Sequence, residues 1–556
     1  MVNIYNKKIL VPLLTILITI ALASIIYLNF SQDSSNEKVP VEPIDNDISP
    51  LTNQALFFQI TRIRRRGLEE EIRQPGFTVP SPTPYYIKIN IDGEEYDYET
   101  INAPQGSGSG AITDWDTGYG YINLIRNVEE EQESSRIHLS IIEEQEKRNL
   151  IFKKEIPIDL ENIHLTYDYK TGRWDGDDFF EDTDGYGHYL GDECEIWFDI
   201  TQTDYDHDGI PYWTEIHILK TNPKIDDSTL DPDGDNIPTS WEWKWGYDPL
   251  KPDNHSLLDP DQDGLSNEAE YSLEKWLSNP FYKDIYAEVD GMEGSGKFLD
   301  FSEYVLPKSS QQMVIEKFSQ HHITLHIDDG WPNGPSNGGG EILPYIESMS
   351  SSSGLTQKFY HSNFAESRKG IFHYFVISHA SGWTYPQDFT NSYDTSSLSG
   401  SREGYWNTFK LIPQGWFNSR MFYIWMASIF MHELGHQLGL LPDFAKEWIP
   451  NDMLDNSSGV YIGGIDNASH IFAHNSTFME RLQARNTAID YWKNYYSCMS
   501  YGNSGEGPLK GLMSPAYAYI VLDYSEGNHG TNDFNDWDAI DLSFFKKTAE
   551  SVEEYG

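Results

Sequence analysis

In the run His432-Glu433-Leu434-Gly435-His436-Gln437-Leu438-Gly439, two histidines stand four residues apart and an acid follows the first. Side chains four apart on a helix project from one face, so both imidazoles reach a single metal ion, and zinc is the ion suited to this pair. Glu433 is turned by about 100° from His432, which takes it off the metal and places it beside a metal-held water. The chemistry implied is hydrolysis by an activated water. Gly439 follows His436 by three residues, where a chain leaving the helix sharply needs a residue free to take positive φ.

Downstream lies Tyr496-Ser497-Cys498-Met499-Ser500-Tyr501. With this second motif, residues 281–556 resemble the metzincin zinc peptidases, whose signature is HExxHxxGxx plus a third ligand, followed by a tight Met-turn. The resemblance implies that Met499 forms an apolar floor beneath the metal and that Tyr501 stabilises the oxyanion. It also implies an α+β catalytic domain with a twisted mixed sheet above the zinc helix. At one position the chain departs from the signature. The third-ligand position is occupied by Pro442, which has no ligating atom. Asp443, the next residue, is the candidate third zinc ligand, with Asp466, His470 and His474 behind it.

A second constellation is triplicated. Asp204, Asp206, Asp208, Gly209 and Glu215 fall at positions 1, 3, 5, 6 and 12 of a loop. Asp231, Asp233, Asp235, Asn236 and Glu242 repeat the spacing, as do Asp259, Asp261, Asp263, Gly264 and Glu270. This is the calcium-ligand spacing of an EF-hand loop, in which the carboxylates converge as the chain curls and the last glutamate comes from the following helix. Asn222-Pro223, Asp248-Pro249 and Asn279-Pro280 end the units. Loops that start 27 or 28 residues apart are too close for full helix-loop-helix hands. They resemble the half-hand repeats of dockerins and thrombospondin-type calcium arrays. Extracellular calcium would keep such sites filled, so the expectation is a structural role, stiffening a rod.

These sites need elements to hold them, and the chain reads as multidomain. Its 556 residues exceed one typical core. Residues 1–30 contain Lys7-Lys8 and then a charge-free run over 9–28, long enough to cross a bilayer. We read this as a single-span membrane anchor with the bulk of the chain outside the cell, a cleaved signal and a secreted protein being the alternative. Residues 31–50 are a Ser-, Asp-, Glu- and Pro-rich linker. Residues 51–200 carry short alternating runs at 85–91, 137–142 and 195–200, a pattern that predicts an N-terminal β-sandwich. Asp175, Asp177, Asp178, Asp182 and Asp184 crowd one loop of it. That loop loosely resembles those of calcium-dependent lipid-binding sandwiches, and a solvated acidic loop is the other reading.

Residues 201–280 hold the calcium repeats. In 281–556, strands are predicted at 285–289, 323–327 and 371–377, a helix at 309–320, an apolar segment over 421–431 leading into the zinc helix, and a closing helix at 541–552. Thr477 and Glu480 form a capping box for a further helix reaching to about Tyr491. Gly291-Met292-Glu293-Gly294-Ser295-Gly296-Lys297 mimics a phosphate-binding loop, but Phe298 stands where the Mg²⁺-binding hydroxyl belongs. His321, His322, His326, His373 and His379 read as packing or surface residues.

Composition narrows the partners. With 39 Lys+Arg against 87 Asp+Glu and a net charge of −48, nucleic acid is excluded as a ligand. Cys194 and Cys498 are the only cysteines, so no disulfide framework exists and a lipid-anchoring cysteine near the N-terminus is absent. The expected function is a cell-surface or secreted zinc endopeptidase with calcium-loaded repeats, acting on protein or peptide. Two alternatives stand beside it: a non-catalytic surface-binding protein with a vestigial zinc site, and a zinc hydrolase of a non-peptide bond.

Overall fold

A computed structural model of the chain describes residues 53–73, 85–98, 114–116, 122–129, 131–148, 153–178, 185–294, 303–330, 339–346, 359, 362–378, 382–384, 395–399, 420–443, 460–466, 490–500 and 520–544, with 480, 483 and 487 as single positions. The anchor and linker readings, Tyr501, His379, His470, His474, Asp182, Asp184 and residues 545–552 lie outside them. Among the described residues no helix is long and apolar enough to cross a membrane.

Among the described residues ten strands form the N-terminal part: β1 (Ala55–Arg65), β2 (Tyr85–Ile91), β3 (Glu94–Tyr98), β4 (Asp114–Asp116), β5 (Ile122–Asn127), β6 (Ser134–Arg148), β7 (Lys153–Asp168), β8 (Arg173–Gly176), β9 (Gly187–Leu190) and β10 (Cys194–Gln202). They make two five-stranded antiparallel sheets, one of order β4-β1-β10-β9 with β5 also on β1, the other of order β3-β2-β6-β7-β8. The two sheets share one core, because alternate residues turn inward. Leu56, Phe58 and Ile60 of β1 meet Ile87, Ile89 and Ile91 of β2 there, with Leu139 and Ile141 of β6.

A register shift between Ile60 and Arg62 changes which residues of β1 face inward. Arg62 and Arg64 are consequently buried over the Trp197 ring, at 5.5 and 4.6 Å, on the opposite face. Arg64 also donates to the Leu325 carbonyl, which ties this sheet to the C-terminal domain. Helix α1 (Leu68–Arg73) continues the crossing: Leu68 and Ile72 join the C-terminal core, and the Gly67 amide donates to Glu316.

In the repeat region, the short helices α2 (Thr239–Lys244) and α3 (Asn267–Ser272) each carry a loop-final glutamate in the first turn, and Glu215 opens the π-helical turn Glu215–Leu219 that follows Tyr212–Thr214. It is clamped at both ends rather than free-standing. Trp241 and Trp245 pack with Tyr186 and Trp197 of the sandwich, while Leu265, Leu273 and Trp276 belong to the C-terminal core. The repeats thus lie where the sequence reading expects a rod between sandwich and catalytic domain, with side chains packed into the core on either side.

The C-terminal domain is built on β11 (Asp284–Met292), α4 (Lys308–Gln320), β12 (Thr324–Asp328), β13 (Ile342–Leu343), β14 (Phe372–Ser378), β15 (Gly382–Thr384) and β16 (Thr395–Ser399). The sheet has order β12-β11-β14-β16-β15, with β13 also on β11. All pairs are parallel except β15 with β16. β11 and β14 are buried along their whole length, as parallel strands covered on both faces must be. The decoy glycine run starts inside β11, where Gly291 and Met292 pair with β13.

Helix α5 (Arg420–Gln437) is buried from Tyr423 to its end. Phe430 packs on Phe375 of β14, and buried Gln437 bonds His373 at 2.8 Å. Two short parallel strands follow, β17 (Leu440–Pro442) and β18 (Val460–Ile462). The described positions 480, 483, 487, 490 and 491 are helical. Residues 541–543 are not helical, yet buried Leu542 and Phe544 close the core near the end of α5.

Candidate metal centre

The end of α5 brings His432 and His436 together on one buried face. His432 Nδ1 lies 2.9 Å from the Cys498 carbonyl and His436 Nδ1 2.8 Å from the Leu440 carbonyl. A carbonyl only accepts, so each Nδ1 carries a proton and Nε2 is the atom of each ring that can offer a lone pair to a metal. Both Nε2 atoms face Asp466, His432 at 3.2 Å from Oδ1 and His436 at 3.5 Å from Oδ2. Three donors around one zinc at about 2.0–2.1 Å in tetrahedral array would stand about 3.4 Å apart, so these residues fit zinc. Burial works to raise the Asp466 carboxyl, but His436 and His432 outweigh it and hold the carboxyl well below the usual carboxylate range.

Asp443 does not join this group. It is exposed directly after β17, whereas His432, His436, Glu433 and Asp466 are buried. Local geometry explains the difference. Gly439, at φ 88°, turns the chain out of α5, and the Val460 amide donates to its carbonyl. β17 then carries the chain past the imidazoles, while β18 returns alongside it. A turn closed by the Ile465 amide on the Ile462 carbonyl presents Asp466, itself at φ 50°, with its amide on the Met499 carbonyl. A donor delivered by strand pairing has no fixed sequence offset from the helix, so the extended motif could not locate it.

The turn beneath is tight. The Ser500 amide donates to the Ser497 carbonyl and the Met499 amide to Ser497 Oγ. Met499 packs against Gly435: a Cβ placed on that glycine would lie 2.5 Å from Sδ and 3.0 Å from the Tyr524 hydroxyl. That hydroxyl in turn donates to the Met431 carbonyl of α5. Tyr495, hydrogen-bonded to Asp536 at 2.6 Å, and the Cys498 amide on the Asp523 carbonyl anchor the turn from behind. The remaining histidines stand elsewhere. His326 bonds Asp284, His321 stacks on Trp537 and His322 is near Tyr282. His373, held by Gln437, is pushed down to about 4 by burial.

The three acidic loops share one geometry. The position-6 amide donates to the position-1 carboxylate in each, Gly209 to Asp204 at 2.7 Å, Asn236 to Asp231 at 2.8 Å and Gly264 to Asp259 at 3.1 Å. Position 5 accepts from the amide two residues on in each, and that residue (Ile210, Ile237 or Leu265) is buried. Positive φ occurs at position 6 and also at position 4: His207, Gly234 and Gln262. Such a backbone turns its carboxylates inward. Asp206, Asp233 and Glu242 each have both oxygens buried without hydrogen-bond partners. Burial first, then neighbouring acids, pushes Glu215 up to about 9, Glu242 to about 8 and Asp261 to about 8; burial and a bond to Asp227 bring Asp208 to about 9. Acids crowded in this way fit a divalent cation that would let them all ionise.

The structure adds residues the loop motif lacks. Asp227 joins Asp208 and Glu215, and His255 joins Asp235 and Glu242. The amides of Asp253 and Asp284 dock on the position-5 aspartates Asp235 and Asp263. Asp227, Asp253 and Asp284 each follow an Asn-Pro or Asp-Pro by five residues, the one sequence signal that would have found them. By contrast, in the acidic loop of the sandwich two of the three described carboxylates are committed to protein donors. Asp178 accepts from Trp174 and the His188 amide, and Asp177 from the His164 amide.

No family model matches the chain, and no curated protein matches it. Among solved structures, human GIVD cytosolic phospholipase A2 in complex with methyl gamma-linolenyl fluorophosphonate is matched at 10% identity and a TM-score of 0.15, over 27% of this chain and 17% of that one. Drosophila C2-DSL-EGF1 is matched at 6% identity and a TM-score of 0.14, over 27% of this chain and 69% of that one. The chain thus spans less than a fifth of the phospholipase, and similarity at this level carries no argument about activity.

Proposed function

We propose that the protein is a zinc-dependent endopeptidase of the cell surface or its surroundings, with His432, His436 and Asp466 as the zinc ligands. The observation that carries this reading is the convergence of two imidazole Nε2 atoms on one buried carboxylate at separations of 3.2 and 3.5 Å, with buried Glu433 next to His432 in sequence. Zinc, when bound, supplies a polarised water of lowered pKa and charge stabilisation for the carbonyl oxygen. The main-chain carbonyls of Cys498 and Leu440 hold the imidazoles in the required tautomer. Glu433 takes the proton of the attacking water and returns it to the leaving amine nitrogen as the peptide C–N bond breaks. The vestigial-site alternative drew on Pro442, and the position of Asp466 supports the enzyme reading over it. The charge-free run at 9–28 supports a surface location, and the acidic loops, the first and third with oxygen donors throughout their motif positions, support calcium as a second cofactor.

The test is Glu433→Gln in the full chain, read by zinc content and by cleavage of an unfolded protein substrate. Zinc stays stoichiometric and cleavage falls by roughly 10²–10⁴-fold, the usual contribution of general acid–base catalysis. Cleavage at the wild-type rate overturns the role of Glu433. A wild-type protein that binds no zinc overturns the whole reading.

A further inference from the structure

The second acidic loop differs from the first in one donor. In the first, the group formed by Asp208, Glu215 and Asp227 offers oxygen alone. In the second, the group is Asp235, Glu242 and His255, which includes a nitrogen. His255 is 1% exposed, set edge-on to Trp241 and Tyr247. Its Nε2 lies 3.3 Å from Asp235 Oδ2 and 3.6 Å from Glu242 Oε1 and forms no hydrogen bond. Glu242 is fully buried and neither of its carboxylate oxygens has a hydrogen-bond partner. One buried imidazole and one buried carboxylate are thus aimed into the same small space.

We propose that the second acidic loop is a site for a transition-metal dication of the zinc or manganese class, held by Asp235, Glu242 and His255, and not a third calcium site. Calcium takes oxygen ligands, whereas imidazole suits zinc and its first-row neighbours. The separations of 3.3 and 3.6 Å match donors about 2.0–2.1 Å from a shared tetrahedral ion. The outer contact completes the site. Asn267 places its side-chain amide 2.9 Å from His255 Nδ1, and Asn267 Oδ1 has no partner in the assigned orientation. Turning that amide over lets Oδ1 accept from Nδ1–H, which leaves the Nε2 lone pair for the ion. Asp235 is meanwhile fixed by the amides of Ile237 and Asp253.

This inference rests on the reading of the acidic loops as cation sites, and the experiment separates the two. The full chain carrying His432→Ala and His436→Ala, which removes the α5 donors, is dialysed against millimolar calcium with micromolar zinc and its metals are counted. The expected content is about one zinc and about two calcium per chain. Adding His255→Asp, which gives the second loop an all-oxygen corner like the first, exchanges them: zinc is lost and calcium rises to about three. A misfolded variant would gain no calcium, so the gain is the decisive readout. Three calcium and no zinc before His255 is changed overturns the proposal, as does zinc retained after the change. Zinc present without any calcium upholds it and overturns the calcium reading of the other loops.

Discussion

Asp466 reaches both imidazoles from a turn after β18, thirty residues beyond His436. Its carboxylate lies in a buried pocket opposite two nitrogens, so its removal leaves a metal with two protein ligands, too few for a stable zinc site. Asp466→Ala is expected to lower zinc affinity by more than the roughly 10–100-fold typical of an outer contact, whereas Asp443→Ala leaves it unchanged. Competition with a coloured zinc chelator measures both, and zinc loss in the Asp443 variant alone would reverse the assignment. The pair also marks what a sequence discloses at this scale. His432, Glu433 and His436 are legible because helix geometry converts spacing into position. The proposed third donor is legible only as one candidate among several, because a strand pair sets its place and Pro442 occupies the offset where a motif would seek it.

At the scale of elements, α5 and the turn at Ser497–Ser500 are machined to each other at Gly435. In an ordinary buried helix, Gly→Ala stabilises by up to about 1 kcal/mol through backbone entropy. Here the new Cβ would meet Met499 Sδ at 2.5 Å. The expected sign is therefore reversed: Gly435→Ala costs about 1–3 kcal/mol by overpacking. Zinc affinity falls with it, because displacing Met499 moves the Cys498 carbonyl that orients His432. Thermal unfolding of the zinc-loaded and zinc-free forms reads both effects, and a rise in stability would refute the close contact.

The strands at 85–91, 285–289 and 371–377 and the helix at 309–320 were legible within a few residues, since each is a local periodicity. The arginine face of β1 was not. The irregularity between Ile60 and Arg62 leaves no mark in composition, and it places two cations where alternation predicts an open surface.

For the whole molecule, the acidic repeats bridge two cores, so their charge state bears on the stability of the entire chain. Burial, with neighbouring acids, pushes Asp208 and Glu215 up to about 9 and Glu242 and Asp261 to about 8. These groups titrate near 4 when unfolded. Between about pH 4 and pH 9 the cation-free folded state therefore holds more protons than the unfolded state, and its stability declines as pH rises. A bound divalent cation reverses the balance by favouring the ionised form, so the decline should vanish. Bound calcium itself adds about 2.7 kcal/mol per site at a hundredfold excess over its Kd. The melting temperature measured in calcium and in a calcium-selective chelator should consequently differ far more at pH 8 than at pH 5. Because Trp213 after the first loop packs on the sandwich core while Leu265 and Trp276 around the third pack in the C-terminal core, both halves should lose stability together when calcium is withdrawn at pH 8. A calcium effect equal at the two pH values, or confined to one half in limited proteolysis, would contradict the view that these loops join the halves through buried carboxylates.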